Sequence, residues 1–279
     1  MVGNFHLPPV GFGPGSQPPD EDGTELQYMQ LPQDMGCYTP HVPDVENAAS
    51  LRPALTLLGQ VAEAARRCGQ AGIRAEFDLS RLNDANRALV AETLGQGEVS
   101  IRMKGIPAIA AQESVFAGIW VLKGAGIERV EVGPVPALAL ERAFHPMEPA
   151  LGALAPRIAG LANAPAILTE LMDKSAGFTP GRPPHVVNLT LLPHTGPDLE
   201  WLDTALGKGS VTILSRGYGN CRITATGQAQ VWRVQFFNSM DTLILDTFEV
   251  TAMPEVTLAA PEDMDDSGAR LGAVLEAIS

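Results

Sequence analysis

Basic side chains are scarce in this 279-residue chain: 19 Lys and Arg stand against 32 Asp and Glu, for a formal charge of −13. Nucleic acid and anionic lipid surfaces are bound through an excess of Lys and Arg, and no basic run here is longer than Arg66-Arg67, so neither is an expected partner. Cysteine is scarcer still. Cys37, Cys68 and Cys221 are odd in number and widely spaced, the pattern of free thiols in a reducing compartment rather than of a disulfide framework. Long apolar runs are missing too: the most apolar stretches are broken by Gln112 and Glu113 or by Arg157 and Asn163, short of the roughly 18 to 20 residues a membrane span requires, so no direct membrane insertion is expected. The N-terminus, Met1-Val2-Gly3-Asn4-Phe5-His6, has neither the basic nor the apolar region of a secretory signal, which points to the cytoplasm. Aromatics make up only 5%, yet the 45% of apolar residues suffices for a sizeable core.

What is present divides unevenly. Residues 1–47 are punctuated by Pro8-Pro9, Gly13-Pro14-Gly15, Pro18-Pro19, Pro32, Pro40 and Pro43 and carry no apolar period. Proline fixes its own φ and biases its predecessor to extended geometry, so this segment reads as an irregular, polyproline-like arm. Leu31, Met35, Tyr38 and Val42 would let it dock on the body or on a partner; a disordered leader is the alternative.

From residue 50 onward the chain resembles itself. Asp78-Leu79-Ser80-Arg81-Leu82 matches Asn188-Leu189-Thr190-Leu191-Leu192 at an offset of 110 residues. Leu94-Gly95-Gln96-Gly97-Glu98-Val99-Ser100-Ile101 matches Leu206-Gly207-Lys208-Gly209-Ser210-Val211-Thr212-Ile213 at 112, an offset that also superposes Trp120 on Trp232. Each copy opens with a helix of 3.6-residue apolar period, Pro53 to Arg67 or Pro165 to Lys174, followed by a short strand ending at Leu79 or Leu189. A second helix, Ala85 to Leu94 or Pro197 to Leu206, stops at a glycine suited to the positive φ of a helix C-cap. Three strands follow, near 98–103, 114–122 and 127–132, and near 210–215, 220–236 and 243–251; further helices are expected over Ala137 to Phe144 and Ser267 to Ile278. The expected fold is α+β: two αβαβββ repeats with mainly antiparallel sheets after an irregular arm. The expected partition is arm 1–47, first repeat 48–145, linker 146–160, and second repeat 161–279 with its C-terminal helix.

The search for chemistry returns little. Gly11-Phe12-Gly13-Pro14-Gly15-Ser16 and Gly207-Lys208-Gly209-Ser210 look like phosphate loops, but the first is flanked by prolines and the second leads from helix into strand, the reverse of the required order. Cys37 and His41 have ligand spacing without a second close pair to complete a zinc site. There is no Gly-x-Ser-x-Gly elbow. The acidic run Glu262-Asp263-Met264-Asp265-Asp266 reads as a helix start, with Asp266 and Ser267 as caps, in preference to a cation site. Trp120 and Trp232 read as core anchors whose indole N–H groups need partners, and Arg216-Gly217-Tyr218-Gly219-Asn220 as a turn that leaves Tyr218 at a hairpin tip.

These residues resemble a known family. Gly13-Pro14-Gly15-Ser16-Gln17-Pro18 and Leu31-Pro32-Gln33-Asp34-Met35 are similar to the leader of the HupH/HyaF (HoxQ-like) hydrogenase expression/formation proteins. Gln112-Glu113-Ser114-Val115-Phe116-Ala117-Gly118-Ile119-Trp120, Asn188-Leu189-Thr190, Gly217-Tyr218-Gly219 and Pro254-Glu255-Val256 are similar to motifs in the body of that family. The resemblance implies a non-enzymatic accessory chaperone, without cofactor, for a membrane-bound nickel-iron uptake hydrogenase. Its implied partner is the iron-sulfur small-subunit precursor before twin-arginine export, with a thioredoxin-like HupG/HyaE-type chaperone beside it. Partner contacts are expected from Gly13, Pro14, Gly15, Leu31, Asp34 and Met35 of the arm, from Tyr218, and from Pro254, Glu255, Pro261, Glu262 and Asp263; no catalytic residue is carried over. The −13 charge is a candidate attraction for a basic twin-arginine leader. A rival reading is delivery or protection of a metal or iron-sulfur cluster through Cys37, His41 and Cys221.

Overall fold

Every element of the first half grows from the apolar spacings noted above. In the computed structural model, which describes residues 48–216 and 220–278, helix α1 (Ala48–Ala71) leads to strand β1 (Ala75–Asp78), helix α2 (Asp84–Leu94), strands β2 (Val99–Met103), β3 (Ile109–Glu113), β4 (Ile119–Gly124) and β5 (Ile127–Val132), and helix α3 (Ala137–Arg142). The second half follows the same order: α4 (Ala164–Ala176), β6 (His185–Asn188), α5 (Gly196–Leu206), β7 (Val211–Ser215), β8 (Asn220–Ala225), β9 (Val231–Phe237), β10 (Leu243–Val250) and α6 (Pro261–Ile278). All described residues belong to the second of two units, residues 40–279. The expected glycine caps are in place: Gly95 and Gly207 end α2 and α5 with φ of 57° and 62°.

Two expectations need correction. Four strands follow the second helix in each half, not three, so the unit is αβαββββ. The stretch 114–118 is a turn, in which the Ser114 hydroxyl accepts the Phe116 amide at 3.1 Å and Gly118 takes φ of 77°. It reads as strand only because Phe116 is apolar and buried. At the equivalent place in the second half the Thr226 hydroxyl accepts the Gln228 amide at 3.2 Å, splitting 220–236 into β8 and β9. The last helix also starts earlier than expected, at Pro261, so Glu262 and Asp263 occupy its first turn and face the helix dipole, while Asp266 and the buried Ser267 lie inside the helix and cap nothing.

One ten-stranded antiparallel sheet carries both halves, in the order β1-β5-β4-β3-β2-β7-β8-β9-β10-β6. The order reads identically outward from the central β2–β7 seam. There Ile101 pairs with Ile213, two residues separated by the same 112-residue offset, so the local two-fold axis of the antiparallel pair passes between them. Side chains alternate across a sheet. One face of the centre is filled by Trp120, Trp232, Ile101, Ile213, Met103 and Val211 against α3 and the Met253–Val256 segment. Both indoles donate to backbone carbonyls, Trp120 to Gly133 at 3.0 Å and Trp232 to Thr251 at 3.2 Å. On the other face α1, α2 and α6 pack over Ile119, Val130 and Val132, and α4 and α5 over Val231, Phe248 and Val250.

Although α6 follows the second half in the chain, it lies along α1. The two backbones meet at glycines: a Cβ on Gly69 would stand 2.5 Å from the Pro261 carbonyl oxygen, and one on Gly268 2.6 Å from that of Ala62. The linker is pinned as well: the Met147 amide donates to the Lys208 carbonyl at 2.8 Å, Glu148 and Lys208 exchange backbone hydrogen bonds, and the Lys208 ammonium pairs with Glu148 at 2.9 Å. Gly207 accepts this crossing, with Glu148 oxygen 2.3 Å from where its Cβ would be, so the glycines that mimic a phosphate loop serve the close approach of the chain to itself.

A buried polar side chain at the same relative position ties the two helices of each half together. In the first half Asn86 Oδ1 accepts the Ala54 amide at 2.9 Å and Nδ2 donates to the Ser50 carbonyl at 3.1 Å. This inserts an amide into the α1 ladder beside Pro53, whose ring disfavours an uninterrupted helix. In the second half Asp198, 112 residues on, accepts the amides of Thr195, Ala162, Ala164 and Asn163, so that one carboxylate caps α4 and α5 together. Burial alone would raise the Asp198 carboxyl; the four amide bonds outweigh it and hold the group well below the usual carboxylate range.

Asp198→Asn keeps the shape but removes the charge from this hub, and a loss of about 2–3 kcal/mol is expected in chemical denaturation at pH 7. Because the folded carboxyl is depressed, its contribution is complete above the ordinary pKa near 3.8 and fades as pH falls through the folded value, so parent and variant should converge in strong acid.

Candidate functional site

The helices on the open side of the sheet cover its outer strands and stop short of the seam. Among the described residues the helical cores on that face reach Ile119 and Val121 of β4 and Val231 of β9, and they take in no residue of β3, β2, β7 or β8. Pairing registers lay the exposed and half-buried side chains of this face out in two cross-strand rows. One runs Lys123, Ala110, Arg102, Thr212, Thr224, Arg233, and the other Val121, Gln112, Ser100, Leu214, Arg222, Gln235. At about 4.8 Å per strand this platform is roughly 24 Å across. Its middle is built of small side chains, Ser100, Ala110, Thr212 and Thr224, with α2 standing on one side and α5 on the other.

Two hollows open on it. Ala91 of α2 and Gln96 just beyond its end enclose a cleft of about 390 Å³ with Arg102, Gln112, Val121 and Lys123. Beyond the seam, Leu214, Arg216, Asn220, Arg222, Phe237 and Asp241 line another of about 480 Å³. Charge on the platform is of one sign. Arg233 is neutralised by Asp246 and Asp203, each at 2.7 Å, and Arg222 lies 5.6 Å from the centre of the Phe237 ring. Arg102, Lys123 and Arg222 form no ion pair with another described residue, and none of the twelve platform positions is a carboxylate. No motif pointed to these cations. The signal lay in strand alternation: Val99-Ser100-Ile101-Arg102-Met103 and Cys221-Arg222-Ile223-Thr224-Ala225 are polar on one face, whereas strands covered on both faces read as continuous apolar runs.

A second surface feature also went unremarked in the sequence. Ile106, at the β2–β3 turn, is completely exposed, at 102% of its reference area, and stands 112 residues before Tyr218. Tyr218 itself lies outside the described residues, as do Gly13, Pro14, Gly15, Leu31, Asp34, Met35, Cys37 and His41. Of the expected contacts that are described, Pro254 is buried beneath the sheet, whereas Glu255, Pro261, Glu262 and Asp263 are exposed. The segment that carries them passes round the end of the sheet at Gly118, where a Cβ would come within 2.4 Å of Met264, and it does not reach the platform.

Cys221 is packed in the core beside the tryptophans, and burial, reinforced by the Glu249 carboxylate, pushes its thiol up to about 12. Cys68 is buried between α1 and its neighbours, which likewise raises its thiol. Among the described residues no three His, Cys, Asp or Glu side chains converge as metal ligands, and no helix is long and apolar enough to cross a membrane.

Glu113 is the described carboxylate with the most raised pKa. It ends β3, accepts the Gly118 amide at 3.2 Å, and is pushed up to about 7, chiefly by burial, then by the charges of Glu98 and Asp263, against the lowering effect of the amide. This brings together one expected contact, Asp263, with a residue of the Gln112-to-Trp120 motif.

Comparison with known proteins accounts for the pattern. The conserved region described as "HupH hydrogenase expression protein, C-terminal conserved region" matches residues 161–278. The chain is 60% identical to the hydrogenase expression/formation protein HupH of Rhodobacter capsulatus, over 100% of both chains. It is 43% identical to the hydrogenase expression/formation protein HoxQ of Cupriavidus necator, over 99% of this chain and 98% of that one. With the hydrogenase-1 operon protein HyaF of Escherichia coli it shares 31% identity over 98% and 95% of the two chains.

A carboxyl raised in the folded state is a stabilising element below its unfolded pKa near 4.5 that is lost as pH climbs to about 7. Glu113→Gln should therefore leave stability at pH 4 nearly unchanged and raise it by about 3 kcal/mol at pH 8, measured as the difference between parent and variant denaturation curves.

Proposed function

Since the chain belongs to the HupH/HyaF family of hydrogenase expression/formation proteins, accessory factors in hydrogenase maturation, we propose that it is a non-enzymatic chaperone for the iron-sulfur small-subunit precursor of a membrane-bound nickel-iron hydrogenase. In this reading it holds the precursor in the cytoplasm before twin-arginine export, beside a thioredoxin-like HupG/HyaE-type chaperone. The observation that supports it is the platform: central strands over which no described helix closes, in a sheet whose other face is filled. An uncovered surface of this size and shape suits capture of another chain, and the seam holds it rigid so that little ordering is needed on binding. Ile106, exposed at the β2–β3 turn, would supply one apolar anchor, and Tyr218, 112 residues on in the sequence, is the candidate for a second from the other half.

The test is recovery of an export-blocked small-subunit precursor by the tagged full chain. Ile106→Asp combined with Tyr218→Ala should lower recovery about tenfold with an unchanged melting temperature. Undiminished recovery by that double variant, or a precursor that never co-purifies with the parent chain, would sink the reading.

A further inference from the structure

The charge of the platform runs against that of the molecule. In a chain with a formal charge of −13, Arg102, Lys123 and Arg222 gather on a surface without a carboxylate among its twelve positions, and the fourth cation, Arg233, is already satisfied by Asp246 and Asp203. Arg102 and Lys123 lie two strands apart in the same row, about 10 Å between Cα atoms, and Arg222 lies two strands to the other side of Arg102, one row displaced. Between Lys123, Arg102 and Thr224 the row is short, at Ala110 and Thr212, so a backbone can descend there, while Leu214 stands between Ser100 and Arg222 as an apolar contact. Carboxylates stand at its rim and not on its floor: Glu128 lies opposite Lys123, Asp246 opposite Gln235, and Asp241 at the outer end of the far hollow.

We infer that the platform is a docking site for an acidic segment of a protein partner, a stretch of about seven extended residues bearing several Asp or Glu side chains. The proposal rests on the reading of this surface as a client site and specifies what part of a client it takes. A width of roughly 24 Å at about 3.3 Å per residue sets the length. Charge sets the sign: the remainder of the molecule repels a carboxylate-rich segment and the platform attracts it, which steers the segment to one place and gives specificity in addition to affinity. Arginine at two of the three positions suits paired hydrogen bonds to carboxylate oxygens. A basic twin-arginine leader has no counter-charge here, so any attraction between it and the surplus of acid acts elsewhere on the surface.

Fluorescence anisotropy with the full chain and two labelled probes, octaglutamate and octaarginine, tests this. Octaglutamate should bind, weaken at least tenfold between 50 and 300 mM salt, and lose at least tenfold in affinity when Arg102→Glu, Lys123→Glu and Arg222→Glu are combined. The control pair Lys174→Glu and Arg182→Glu, exposed cations away from the platform, should leave it unchanged. Octaglutamate affinity that is equal in the platform and control variants, or octaarginine affinity that falls in the platform variant, would overturn the proposal. The result is separable from the precursor test: platform-dependent octaglutamate binding without precursor recovery leaves the acidic-segment site standing and removes the small subunit as its client, while precursor recovery without that binding does the reverse.

Discussion

The pairing of β2 with β7 is the contact on which the rest of the molecule depends. Five registered residue pairs, from Val99 with Ser215 to Met103 with Val211, join two five-stranded halves that would otherwise each present a long open edge. Because the two strands are antiparallel and Ile101 sits opposite Ile213, the halves are related by a local two-fold axis that runs through the sheet from face to face. Equivalent residues therefore point to the same side. Trp120 and Trp232 end up in one shared core, and the helix pairs of both halves end up on the opposite face.

That constraint also explains why no described helix closes over the middle of the platform. Each second helix connects an outer strand to a central one, and its glycine cap turns the backbone down into the sheet before the helix can reach the seam. Two-fold symmetry then repeats the shortfall from the other side. On the tryptophan face the central strands are covered by α3 and the Met253–Val256 segment, chain that follows the last strand of each half. The same topology thus fills one side and leaves the other available, with no need for a dedicated binding insertion.

Much of this was legible in the residues. The matched stretches around Leu94 and Leu206, the glycine after each, and the paired tryptophans all have local physical signatures, and the structure places them as those signatures require. The expected three-strand run failed because Phe116 and its neighbours are apolar for tertiary reasons, buried under helices from both ends of the chain, while the local turn is made by one serine hydroxyl. The start of α6 was misread because acidic residues inside a first turn and acidic residues ahead of it look alike in sequence. The platform was hidden for a different reason: its residues come from six strands spread over residues 100–235, and no single segment contains more than two of the cations that define it. Asn86 and Asp198 illustrate the converse. Asp198 belongs to a local capping box with Thr195, and Asn86 to no motif, yet each also reaches across to close one helix pair.

The return of α6 to α1 has a bearing on how the molecule is made. Leu58, Ala65 and Cys68 are shielded in part by Leu271 and Val274, which are separated from them by about two hundred residues of chain. A chain emerging from the ribosome can pair its early strands, but the glycine-lined side of α1 stays uncovered until the final turns of α6 have been synthesised. Completion of the first half is thereby tied to completion of translation, so that a prematurely terminated chain exposes α1 to the cell's quality control.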